Sequence, residues 1–137
     1  DINTTDTQGS TALHMASQNG HVEVVNTLLE HGADINTTDT QGSTALHMAS
    51  QNGHVEVVNT LLEHGADINT TNTQGATAMH IASQNGHIEV VNTLLKHGAD
   101  INTLTTQGAT AMHIASQNGH IEVVNTLLKH GADINTT

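Results

Sequence analysis

The tripeptide Asp-Ile-Asn recurs every 33 residues, opening at Asp1, Asp34, Asp67, Asp100 and Asp133. A unit this short cannot bury a core alone. It has to stack on its neighbours, and the architecture this demands is a solenoid. Counted from Asp6, the units span 6–38, 39–71, 72–104 and 105–137, with residues 1–5 as the tail of a preceding unit. Blocks 1–33 and 34–66 are identical. The third block changes six positions, among them Leu13 to Met79, Met15 to Ile81, Val22 to Ile88 and Glu30 to Lys96. The fourth differs from the third at two, Leu104 and Thr105. The apolar exchanges nearly conserve volume, the kind of change packed cores tolerate best.

Within 6–38, Thr11 is placed to cap a helix running from Ala12 to Asn19. Gly20 stops it, because glycine enters the left-handed conformation at no steric cost. A second helix is expected from His21 to His31, with Val22, Val25 and Leu29 on one face and Val24 and Leu28 beside it. Glu23 falls in its first turn and His31 in its last, matching the helix dipole. The stretch 33–42 is rich in turn formers and is expected to form a hairpin-like finger leading to the next helix pair. Both helices are too short to hold by themselves, so their stability has to come from neighbouring units.

The 33-residue turn-helix-helix unit carrying Thr11-Ala12-Leu13-His14-Met15-Ala16 resembles the ankyrin repeat. Gly20-His21-Val22-Glu23-Val24-Val25 resembles that family's inter-helix motif, and Leu28-Leu29 followed by Gly32-Ala33-Asp34-Ile35-Asn36 its finger. The match recurs four times along the chain. It implies an all-α repeat solenoid of ankyrin-type helix-turn-helix units with β-hairpin fingers; the lack of cysteine permits secreted and cytosolic settings equally, and the resemblance slightly favours the cytoplasm. One departure is systematic: Ala12, Ala45, Ala78 and Ala111 stand where the family usually has proline. The pre-organised first helical residue is lost and helix propensity is kept.

Composition narrows function. The chain has no cysteine and no aromatic residue, so its core is aliphatic and thiolate chemistry is excluded. Its formal charge is −11, from 13 acidic residues against two basic ones. Nucleic-acid backbones and anionic membranes are bound by cationic side chains, so neither is an expected partner. A protein partner with a basic or neutral surface is the electrostatic expectation. No run approaches the ~20 apolar residues of a membrane span.

The 12 histidines fall in three columns: His14, His47, His80 and His113; His21, His54, His87 and His120; and His31, His64, His97 and His130. Equivalent residues on stacked helices are roughly 8–10 Å apart. Zinc requires nitrogens at about 2.0–2.1 Å, so no single column can chelate along the stack. The family resemblance implies that the His14 column is structural, buried and neutral, its rings bonding backbone between finger and helices. The acids recur at a helix start and a turn, where capping explains them. No irregular cluster of nucleophile, base and orienting group interrupts the repeat, so neither catalysis nor a cofactor is expected.

Ankyrin partners usually meet the finger tips and the inner helix surface. By that resemblance the face comprises Thr7, Gln8, Ser10, Gln18, Asn19 and His31 in the first unit. In the second it comprises Thr40, Gln41, Ser43, Gln51, Asn52 and His64. The third supplies Thr73, Gln74, Ala76, Gln84, Asn85 and His97, and the fourth Thr106, Gln107, Ala109, Gln117, Asn118 and His130. Leu104, apolar where other fingers carry threonine, is a further contact candidate. The expected function is a non-catalytic protein-interaction or spacer segment. Neither terminal unit has the polar outer face of a capping repeat, which points to a piece of a longer array and to end-to-end self-stacking. The alternatives are an engineered scaffold, or an ankyrin segment of a larger protein whose activity lies in another domain.

Overall fold

The computed structural model describes residues 1–132, which form eight helices in four pairs. The first pair is α1 (Ala12–Gln18) and α2 (Val22–Glu30), the second α3 (Ala45–Gln51) and α4 (Val55–Glu63). The third is α5 (Ala78–Gln84) and α6 (Ile88–Lys96), the fourth α7 (Ala111–Gln117) and α8 (Ile121–Lys129). The odd-numbered helices form one row and the even-numbered a second, each packed on the next in its row and on its own pair-mate. Between the rows lies a continuous aliphatic core containing Leu46, Val57, Val58, Leu61, Met79, Val90, Val91 and Leu94.

Each first helix starts the same way. Thr11 Oγ1 accepts the His14 backbone N–H at 3.3 Å, and His14 Nδ1 accepts the Thr11 N–H at 3.1 Å. Histidine here takes the place that Glu or Gln fills in an ordinary capping box. The arrangement leaves the ring proton on Nε2, which donates to the Ser43 carbonyl of the next unit at 2.9 Å. His47 does the same to Ala76 at 3.0 Å, and His80 reaches Thr103 at 2.9 Å. The resemblance-based role of this column therefore holds: one ring closes a helix start and ties it to the next finger. His14, His47 and His80 are buried, whereas His113 is solvent-exposed on the last inner helix.

A second tie crosses each junction at the turn between helices. His54 Nε2 donates to the Gln18 carbonyl of the preceding unit at 3.0 Å, and His87 and His120 repeat the bond at 2.9 Å to Gln51 and Gln84. The room for this ring comes from Gly20, where a Cβ would lie 2.6 Å from His54 Nδ1 and where φ is +74°. Glycine is needed there twice, for the backbone and for the neighbour's side chain. The expected second helix is one residue shorter at each end, because His21 and His31 are its caps rather than members.

The fingers differ from expectation. Among the described residues there is no strand, so the expected β-hairpins are replaced by stacked turns. Asp6 Oδ1 accepts the N–H groups of Gln8 and Ser10 at 2.9 and 3.0 Å, and Asp39 repeats this with Gln41 and Ser43 at 2.8 and 2.9 Å. These Asx-type bonds occupy donors that a strand ladder would use. Successive tips are then joined by one backbone bond each: Thr40 N to Gln8 O and Thr73 N to Gln41 O at 3.0 Å, and Thr106 N to Gln74 O at 3.1 Å. The Asp-Ile-Asn motif acts at the other end of the loop. Asn3 Oδ1 accepts the Asp34 N–H at 2.8 Å and Asn36 Oδ1 the Asp67 N–H at 3.0 Å.

Candidate functional site

Each inner helix ends in Gln-Asn, and each finger tip carries Thr-Gln-Gly. The Gln-Asn residues and the Thr-Gln of the tips are exposed, and in the third and fourth units the two sets line one cleft. Part of the hydrogen-bonding capacity of the asparagines is already committed. Asn19 Nδ2 donates to the Met15 carbonyl at 2.8 Å, and Asn52, Asn85 and Asn118 repeat the contact at 3.0, 2.9 and 2.8 Å. Each amide NH2 is thereby tied to a carbonyl in the last turn of its own helix. The glutamines Gln18, Gln51, Gln84 and Gln117 are exposed beside them.

Between the third and fourth units these surfaces close around a cleft of about 320 Å³. Its lining brings together eight residues of the expected face: Gln74, Ala76, Gln84, Thr106, Gln107, Ala109, Gln117 and Asn118. His80, Thr105 and Ile114 complete it. Sequence reasoning missed these three. The usable signal was the finger position occupied by Asp6, Asp39, Asn72 and then Thr105, which loses its carboxylate toward the end of the chain. Ser10 and Ser43 likewise become Ala76 and Ala109, removing a hydroxyl from each wall. Thr105 Oγ1 still accepts from Gln107 and Ala109 N–H, at the longer distances of 3.3 and 3.2 Å.

The cleft contains no carboxylate and no ammonium group. His80, at its floor, has a pKa pushed below the ordinary histidine value by burial, against the opposing effect of its backbone acceptors Thr103 and Ala109. Both ring nitrogens are engaged, Nδ1 by the Thr77 N–H at 3.0 Å and Nε2 by the Thr103 carbonyl. This ring is therefore placed to hold structure and not to accept a substrate proton. The charge lies elsewhere. Units 6–38 and 39–71 each carry four acids and no base, while 72–104 carries Glu89 and Asp100 against Lys96.

Other expected contact residues sit apart from the cleft. Ser43 is buried, its N–H on Asp39 and its carbonyl on His14. His31, His64, His97 and His130 cap the outer helices, each Nδ1 donating to the carbonyl four residues back, Thr27, Thr60, Thr93 or Thr126, at 2.8–2.9 Å. The cleft lining includes neither His97 nor His130. Leu104 is an exposed apolar residue next to Thr105. Among the described residues no three His, Asp or Glu side chains converge as metal ligands, and no helix is long and apolar enough to cross a membrane.

A family model for ankyrin repeats in three copies matches residues 1–72 and again residues 67–137. No curated protein matches the chain. The paired short helices, the threonine-histidine helix start and the family match spanning the sequence agree, and the chain belongs to the ankyrin-repeat family.

Proposed function

We propose that this chain is a non-catalytic interaction segment and that the cleft between its third and fourth units is the centre of its contact face. Ankyrin repeats are protein-interaction modules. The observation that carries the reading is the lining itself: four glutamines and an asparagine converge with no charged group among them. A primary amide offers two donors and an acceptor, the complement of a peptide backbone. An uncharged cleft is also cheap to desolvate compared with the acidic surfaces of the first two units. The partner that fits is an extended polypeptide segment, neutral where it enters the cleft and neutral or basic where it passes the acids of 6–71. The engaged nitrogens of His80 support the non-catalytic part of the reading.

Selection of a displayed random-peptide library on the purified chain tests this. Enriched peptides are expected to bind at least about tenfold more weakly to a Gln84→Ala, Gln117→Ala double variant, since two lost amide pairs at about 1 kcal/mol each exceed one decade. A His31→Ala control, away from the cleft, should bind as the parent does. Peptides whose binding ignores the glutamine pair, or a library that yields none, refute the assignment.

A further inference from the structure

We propose that the segment this face takes is a polyproline II helix. It lays one side chain of every three on each successive unit, basic along the first two units and aliphatic over the last two. This deepens the cleft reading above and rests on it.

Gln18, Gln51, Gln84 and Gln117 end the inner helices, and those helices stack in one row, so the face repeats once per unit. The step between stacked helices is roughly 8–10 Å. In a polyproline II helix every third residue points the same way, and three residues advance about 9.3 Å. One side chain therefore meets each unit along the array. Residues on one face of a β-strand recur at about 6.6 Å, which is out of register by the second unit. An α-helix pairs its own backbone groups and offers the amides nothing. The polyproline II backbone has no internal hydrogen bonds, so its carbonyls are open to donors. Among the described residues none of the four glutamine side chains is bonded within the fold, while the asparagine beside each is tied to its own helix. These glutamine amides are the free donors.

A face with no aromatic residue gains little from any one contact. It suits a ligand that is already ordered, because the entropy lost on binding is then small. Charge sets the register. The finger position Asp6, Asp39, Asn72, Thr105 runs from two carboxylates to an amide and then a hydroxyl. In every unit that side-chain oxygen accepts the N–H of the tip glutamine, so the position is fixed at the tip. The first two units therefore meet basic side chains. Over the last two, the cleft sets Ala76, Ala109 and Ile114 among uncharged amides, and an aliphatic side chain fits there.

Fluorescence anisotropy with synthetic peptides of about twelve residues, three per unit, tests this. Two probes carry Lys-Pro-Pro twice and Leu-Pro-Pro twice, one in each order, since either chain direction fits. A third has the same residues scrambled so that no three-residue period remains. The tighter ordered probe should bind at least about tenfold more strongly than the scramble, because side chains out of register lose two or more contacts. It should weaken at least about tenfold in the Gln84→Ala, Gln117→Ala variant. At low salt it should weaken roughly threefold or more in an Asp6→Asn, Asp39→Asn variant. That variant should fold as the parent does, because Asn72 already makes the same turn, its Oδ1 accepting the Gln74 and Ala76 N–H groups at 2.9 and 3.0 Å. Equal binding of ordered and scrambled probes, no binding by any, or an ordered probe indifferent to the aspartates would overturn the proposal. Library peptides that need Gln84 and Gln117 yet show no three-residue period would also overturn it, and would leave the cleft standing as the contact centre. An ordered probe that binds regardless of the glutamines would sink both readings.

Discussion

Ser17, Ser50 and Ser83 occupy one position on successive inner helices, and all three hydroxyls are fully buried without a hydrogen-bond partner. Their equivalent in the last unit, Ser116, is exposed. Replacing each by alanine is therefore one experiment with an internal control. Relieving an unpaired buried polar group recovers about 1–3 kcal/mol. Alanine adds up to about 0.5 kcal/mol of helix propensity over serine. The void left by one oxygen, roughly 15 Å³ at about 24 cal/mol per Å³, takes back about 0.4 kcal/mol. The net gain is about 1–3 kcal/mol per buried site, whereas Ser116→Ala should gain only the propensity term of about 0.5 kcal/mol. With a urea slope of about 2 kcal/mol/M, a buried single substitution moves the midpoint up by roughly 0.5–1.5 M and the triple variant by about 1.5–4.5 M. Urea melts followed by circular dichroism read this directly. A buried Ser→Ala that lowers the midpoint, or a Ser116→Ala that matches Ser50→Ala, would refute the claim that these hydroxyls are orphaned.

Acid should weaken the fold through His47 and His80, whose pKa values are lowered chiefly by burial. Their stabilisation is present above the unfolded value of about 6.5 and is lost as pH falls through the folded values. Melting temperatures should drop from pH 7.5 to 5.5, and the His47→Gln, His80→Gln pair should flatten that slope more than the same change at His31 and His64. Gly53→Ala forces a Cβ to 2.7 Å from His87 at a φ of +73°, whereas Gly119→Ala meets no neighbour at the same φ. Chemical denaturation should show Gly53→Ala the costlier by about 1 kcal/mol or more, the value of a lost junction bond; equal costs would mean the ring slot is not filled. Excising 39–71 should leave a helical, less stable chain by circular dichroism and urea melting, because the new junction joins residues that already occur at one.

Much of this was legible in the sequence because repetition multiplies weak signals. Helix periodicity and glycine stops gave bounds within a residue, since Thr11, Gly20 and Gly32 act locally. The role of His14 came from family resemblance, not from spacing, and the structure supplies its cause. What escaped depends on the neighbouring unit. No pattern in 6–38 says that Gly20 leaves room for His54, because the two belong to different units. The fingers were expected as hairpins because the stretch is itself rich in turn formers and the family resemblance implied them, and the side chains of Asp6 and Asp39 take donors that a ladder would use. The cleft is lined by Ala76, Ala109 and Thr105, at positions where the first two units carry Ser and Asp, exchanges that look minor singly. Serine at position 17 looked like an ordinary helix residue, and only packing makes it an orphan.

The junctions described above are built from the same side chains each time, and blocks 1–33 and 34–66 are identical. A refolding chain therefore meets few features that tell its own second unit from another molecule's. Pairing across molecules wins almost the same contacts as pairing within one, and is held back only by dilution. Swapped and register-shifted species should compete whenever unfolded chains are crowded. Four of the six exchanges in the third block mark the second half as different: Met79, Ile81 and Ile88 vary the shapes at the junctions, and Lys96 varies the charge.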